Sequence, residues 1–77
     1  MKVFHTLISD RAEISYLYRE KYILERRINQ ILSQKYSDNY SVISKNFTRI
    51  ACFDKYDIAF FRLYRLRMEV TVEVNNQ

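Results

Sequence analysis

The chain of 77 residues contains no glycine and no proline. Glycine adopts positive φ angles most easily, and the tightest two-residue hairpin loops require such angles. Turns must therefore use asparagine, aspartate, serine or lysine, and very tight hairpins are hard to build. The same absence excludes the glycine-rich phosphate and dinucleotide loops and the nucleophile elbow of many enzymes.

Residues 10–36 have the longest regular hydrophobic period in the sequence. Their aliphatic residues recur at steps of three, four or seven, namely Ile14, Leu17, Leu24, Ile28 and Ile31. This spacing places them on one stripe of an amphipathic helix. Asp10 and Glu13 have the capping-box spacing at its start, and Ser-Asp-Asn at 37–39 favours a turn at its end, with Asn suited to the left-handed conformation. We predict one helix over 10–36.

The residues beside this stripe indicate what the helix packs against. Tyr16, Tyr18, Tyr22 and Ile23 flank it, and a wide apolar stripe suits a helix that lies across a sheet. In a heptad frame, lysines occupy two of the four a positions, at Lys21 and Lys35. A dimeric coiled coil is therefore the less favoured interpretation.

The C-terminal part of the chain predicts a strand over about 58–74. From Tyr64 to Val74 apolar residues alternate strictly with polar ones, which is the pattern of a half-buried strand. The phase breaks upstream, which indicates either a β-bulge near 62–64 or a helical turn over 55–63. Residues 2–8 and 47–53 also predict strands, and 38–46 predict a loop that contains at most one helical turn.

The predicted element order is strand, helix, strand, strand within a single domain of residues 1–77. It favours an α+β fold with the helix on one face of a small, mainly antiparallel sheet. An all-α helical bundle is the alternative, but the alternating β-branched residues near Val74 argue against it.

Composition narrows the class of protein. Apolar residues make up 48% of the chain, too many for disorder, yet no run approaches the roughly 18 residues of a membrane span. The N-terminal residues lack the features of a signal peptide, and Cys52 is the single cysteine; both favour a reducing cytoplasm, which is a host cytoplasm if the source is viral. A chain this short buries little surface alone, so a homodimer and a monomer are equally expected.

No pattern typical of catalysis or metal binding occurs. One histidine, His5, and one cysteine cannot form a zinc site, and no two carboxylates have a spacing typical of general acid–base catalysis. We expect a non-enzyme without cofactor or metal, and His5 as a partly buried strand residue.

Arginine and tyrosine supply the candidate binding residues, and the net charge is +4. One group lies near the last strand and one on the helix: Arg62, Tyr64, Arg65, Arg67, Arg26 and Arg27. Guanidinium groups bind phosphate and carboxylate, and tyrosine rings stack on bases or form protein hot spots. A solvated face whose charges only confer solubility is the competing interpretation.

The sequence YRLR at 64–67 resembles the last strands of RelE/ParE-like ribosome-dependent or gyrase toxins. The chain departs from that family where the toxins have a glycine turn and a second helix. The resemblance implies that Tyr64, Arg65 and Arg67 contact RNA or take part in catalysis.

Three functions are therefore considered. The leading hypothesis is a small non-catalytic protein-binding module, such as a phage-encoded inhibitor or adaptor of a host protein, because the composition is similar to that of small phage proteins. The alternatives are a basic nucleic-acid-binding regulator and, third, a RelE/ParE-like toxin.

Overall fold

The computed structural model describes residues 1–52 and 63–75. In chain order the elements are β1 (Lys2–Ile8), β2 (Ala12–Glu13), a 3-10 turn (Ile14–Tyr16), α1 (Leu17–Tyr36), β3 (Tyr40–Cys52) and β4 (Leu63–Val74). One helix packs on an antiparallel sheet, which confirms the predicted α+β fold and excludes the all-α bundle.

Strand β4 is the centre of the sheet. It pairs with β3 along its whole length, from Cys52 opposite Leu63 to Tyr40 opposite Val74. Its other side pairs first with β1 and then with β2. All three pairings are antiparallel, so β4 holds the other strands together.

The hydrophobic core lies between α1 and one face of β4. The buried helix residues are Leu24, Ile28 and Leu32, and the buried strand residues are Leu66, Met68, Val70, Val72 and Val74. The alternation predicted for β4 is therefore confirmed. Since α1 covers one face only, the opposite face, which holds Arg65, Arg67 and Glu69, forms the open face of the sheet.

The helix begins later than predicted. Ala12 and Glu13 pair with Tyr64 and Leu63, which extends the sheet into the segment expected to start the helix. The Asp10–Glu13 capping box is therefore wrong, and Tyr16 precedes the helix without any side-chain cap. The 3-10 turn precedes the helix instead, and the Leu17 N–H donates to the Ile14 carbonyl oxygen. Ile14 leaves the predicted stripe and is 53% exposed.

Strand β3 is longer at its start than predicted. Residues 40–46 belong to it, where a loop was expected, and a register shift between Val42 and Ser44 marks a β-bulge. The bulge changes the phase of the side chains, which hid the strand pattern in the sequence. The predicted parts of strands at 53 and 58–62 lie outside the described residues, and β4 pairs with both neighbouring strands from Leu63 onward.

Helix α1 ends in the predicted turn, but the strained residue is a serine. Ser37 has φ 55° and ψ −123°, values typical of the first central residue of a type II′ turn, where glycine is preferred. The Asn39 N–H donates to the Tyr36 carbonyl oxygen at 3.0 Å and closes this turn. The chain, which has no glycine, places a non-glycine residue at a costly φ here.

No helix in the described part of the chain is long and apolar enough to cross a membrane.

Candidate functional site

Arg65 has a structural partner on the edge of the sheet. Its Nη1 donates to the carbonyl oxygen of Ser9 at 3.0 Å. Ser9 is buried, its hydroxyl accepts from the Leu66 N–H at 2.8 Å, and its own N–H donates to the Leu66 oxygen. Three residues, 9–11, lie opposite two residues of β4 at this point, so Ser9 and Arg65 hold a bulge between β1 and β2.

Arg67 lies on the same open face as Arg65 and contacts an acidic neighbour. Its Nε lies 3.0 Å from Glu69 Oε1, yet the buried Nε makes no hydrogen bond to any described residue. The distance therefore indicates an ion pair whose N–H is poorly aligned. Both side chains are about half exposed, so the pair contributes little to stability.

Tyr64 points to the other face of the sheet. It is half-buried on the side of α1, and the Arg49 guanidinium lies 5.5 Å from the centre of its ring. Because strand residues alternate between faces, Tyr64 cannot share one site with Arg65 and Arg67. The structure thus separates the residues that the toxin resemblance groups together, and Arg62 lies outside the described residues.

Arg26 and Arg27 lie on the exposed side of α1. The helix covers the face opposite Arg65 and Arg67, so the two predicted arginine groups are on opposite sides of the molecule. The sequence-predicted residues do not form one site. The positions around Arg26 and Arg27 instead belong to a different surface.

This surface follows the outward side of α1 and is called the Tyr–Arg surface. It consists of Tyr18, Arg19, Tyr22, Ile23, Arg26 and Arg27. Tyr18 is 70% exposed, Tyr22 61% and Ile23 45%, so these side chains do not widen the core stripe as predicted. Four of the six border an open hollow of about 570 Å³, with a mostly apolar lining: Tyr18, Arg19, Tyr22 and Ile23.

Sequence reasoning missed Tyr18, Arg19 and Ile23 as surface residues. The signal was present, since positions 19, 22, 23 and 26 follow the same three- and four-residue steps as the core stripe. Helix α1 has two stripes of partly apolar character, and the prediction took the second for a widening of the first. The structure buries Leu24, Ile28 and Leu32 on the first stripe and leaves the second exposed.

His5 is a half-buried strand residue, as predicted. Its Nε2 lies 3.2 Å from the Tyr36 hydroxyl, and the two rings meet edge to face. Tyr36 in turn lies against Tyr40, so these aromatic side chains join β1, α1 and β3. Within residues 1–52 and 63–75, no three His, Cys, Asp or Glu side chains are placed to hold a metal ion.

Comparisons with known proteins do not assign this surface, because no family model, curated protein or solved structure matches the chain.

Proposed function

We propose that the chain is a small non-catalytic protein-binding module and that the Tyr–Arg surface is its contact. The observation that carries the proposal is the exposure of Tyr22 and Ile23 on the outward side of α1. Core packing does not use these side chains, since α1 already buries Leu24, Ile28 and Leu32 against the sheet. Tyrosine and arginine are enriched at the energetic centres of protein interfaces.

The contacts within the surface favour a preorganised interface. The Arg26 guanidinium lies 5.9 Å from the centre of the Tyr22 ring, and that of Arg19 lies 6.0 Å from the centre of the ring of Tyr16, which precedes the surface in the chain. Such cation–π contacts restrict long side chains before a partner arrives. A lower ordering cost on binding leaves more of the contact energy as affinity.

The charges indicate the chemistry of the partner. Arg19, Arg26 and Arg27 surround the apolar centre that Tyr22 and Ile23 form. An apolar patch with acidic groups at its rim would complement this arrangement. We propose that the partner is a host protein and that this chain is a phage-encoded inhibitor or adaptor of it.

Nucleic acid is the second candidate. Bases stack on tyrosine rings, and arginines bind phosphates. The same Tyr22–Arg26 contact is compatible with that role. On the last strand, Arg65 Nη1 donates to Ser9 and Arg67 pairs with Glu69, so the Tyr–Arg surface is the preferred site for this alternative.

A capture experiment separates the candidates. Tagged wild-type protein and the Tyr22→Ala/Arg26→Ala variant are used with bacterial lysate, with and without nuclease. The matched control is Asn29→Ala/Gln34→Ala, which changes two exposed residues of the same helix. We expect a discrete protein that survives nuclease, persists in the control and is lost in the Tyr22→Ala/Arg26→Ala variant.

Other outcomes contradict the proposal. Capture that disappears with nuclease in every sample would assign the surface to nucleic acid. Equal capture by both double variants would place the contact elsewhere. Sedimentation of the free protein tests whether a second copy of the chain binds this surface. A species larger than 9.5 kDa would indicate self-association. If Tyr22→Ala/Arg26→Ala dissociates that species and the control variant does not, the Tyr–Arg surface is a homodimer interface.

A further inference from the structure

Strand β3 forms a long edge of the sheet. It pairs with β4 on one side, and no described strand pairs with its other side. Edge strands expose a row of backbone N–H and C=O groups that another extended chain can use. The bulge at Val42–Ser44 interrupts this row, which leaves residues 44–52 as the regular part.

The charge along this edge has one sign. Residues 40–52 include Lys45 and Arg49 and no acidic residue. These two side chains and Phe47 lie on the α1 side of the sheet, because alternate residues share a face. Lys21 adds a third cation, since its Nζ lies 5.0 Å from the centre of the Phe47 ring.

In the described part of the chain, few acidic side chains accompany this edge. Glu69 and Glu73 lie on the open face of the sheet, whereas Lys45 and Arg49 lie on the face that α1 covers. Among the described residues, Glu25 lies one helical turn after Lys21 and is half-buried, so a carboxylate accompanies the three cations. The edge therefore favours an acidic segment.

A second copy of the chain fits the edge poorly. In a twofold antiparallel pairing centred on Phe47, Lys45 of one copy would lie opposite Arg49 of the other. Like charges directly opposite each other on neighbouring strands are destabilising. A different register would still place a strand without acidic residues beside Lys45 and Arg49.

We propose that the β3 edge binds an extended acidic peptide segment, which adds one strand to the sheet. An acidic residue would lie opposite Lys45, an apolar residue opposite Phe47 and a second acidic residue opposite Arg49. This acid–x–apolar–x–acid pattern is the same in both chain directions. Backbone hydrogen bonds supply affinity in this type of recognition, and alternate side chains supply specificity. The site is separate from the Tyr–Arg surface.

A fluorescent nine-residue peptide with alternating threonines and the core Glu-Thr-Val-Thr-Glu is the probe. We expect Lys45→Glu/Arg49→Glu to weaken its binding at least tenfold, and Lys45→Glu alone to weaken it several-fold. The control Lys2→Glu makes the same change of charge as Lys45→Glu at an exposed position of β1, which pairs with the other side of β4, and should leave the Kd within twofold. The variant Arg26→Glu/Arg27→Glu tests whether the peptide binds the Tyr–Arg surface instead. A peptide with lysines in place of the glutamates should not bind.

Strand addition has its own readout. Amide hydrogen exchange of residues 44–52 should slow in the presence of the peptide, and a probe with N-methylated alternate amides should bind at least tenfold more weakly. Equal binding by wild type and Lys45→Glu/Arg49→Glu, or loss of binding only in Arg26→Glu/Arg27→Glu, would overturn the proposal. Unchanged exchange of residues 44–52 on peptide binding would also overturn it. Since these readouts do not involve Tyr22, failure here leaves the proposed function of the Tyr–Arg surface separately testable.

Discussion

The Arg65 Nη1 donates a hydrogen bond to the carbonyl oxygen of Ser9 across 56 residues of sequence. This bond joins the central strand to the bulge at which β1 leaves the sheet and β2 begins. Arg65 therefore makes a structural contact within the sheet, although it was predicted as a binding residue.

Arg65→Ala should destabilise the protein more than Arg67→Ala does. A half-buried hydrogen bond from a charged group contributes about 1–2 kcal/mol, whereas the exposed Arg67–Glu69 pair contributes less than about 0.5 kcal/mol. Urea unfolding measures both values. Equal and small changes in the free energy of unfolding for the two variants would show that the Arg65–Ser9 hydrogen bond does not stabilise the protein in solution.

Ser9→Ala should cost about 1–3 kcal/mol, because it removes the hydroxyl that accepts from the buried Leu66 N–H. Ser41→Ala, at an exposed position of β3, is the matched control and should change stability by less than about 0.5 kcal/mol. Thermal and urea unfolding of both variants provide the measurement. A Ser9→Ala protein as stable as the control would mean that water replaces the hydroxyl.

Leu24→Ala and Ile28→Ala should each cost about 2–4 kcal/mol, since both side chains are fully buried between α1 and β4. Ile23→Ala is the control on the same helix, and its largely exposed side chain should contribute less than about 1 kcal/mol. Urea melts compare the three. Losses below about 0.5 kcal/mol for both core variants would contradict the packing of the helix on the sheet.

Ser37→Gly should stabilise the protein by about 1 kcal/mol. Relief of the positive φ is worth about 1–3 kcal/mol, and the added freedom of glycine in the unfolded chain offsets part of it. Ser41→Gly provides the opposite control, because a glycine within a strand should cost about 0.5–1 kcal/mol. A Ser37→Gly variant that melts below wild type would contradict the type II′ geometry at this turn.

The hydrophobic pattern of the sequence predicted the buried residues correctly where a strand or helix packs with its regular period. The alternation from Tyr64 to Val74 placed the core face of β4 correctly, and the helical spacing placed Leu24 and Ile28. The patterns failed where a distant strand decides the outcome. Residues 12–13 pair with β4 before the helix begins, and the bulge at Val42–Ser44 concealed the first half of β3.

For the candidate site too, the sequence predicted the local arrangement of residues but not their contacts with distant parts of the chain. The alternation already predicts Tyr64 and Arg65 on opposite faces, which the pairing of β4 confirms. The hydrogen bond from Arg65 to Ser9, far away in the chain, could not be predicted from this pattern. The helical spacing of Tyr22, Ile23 and Arg26 was visible in the sequence. The exposure of Tyr22 and Ile23 was not, because they were predicted to widen the stripe that holds Leu24 and Ile28.

The central position of β4 determines the order in which the chain can fold during synthesis. Strand β4 is the last of the described elements to be made, yet β1, β2 and β3 all pair with it. On the ribosome, β1, β2, β3 and the apolar side of α1 therefore cannot pack against β4 until residues 63–74 emerge. Such exposed apolar segments are the ones that chaperones protect from aggregation. A nascent chain that stalls before residue 63 would lack every strand pairing that β4 makes.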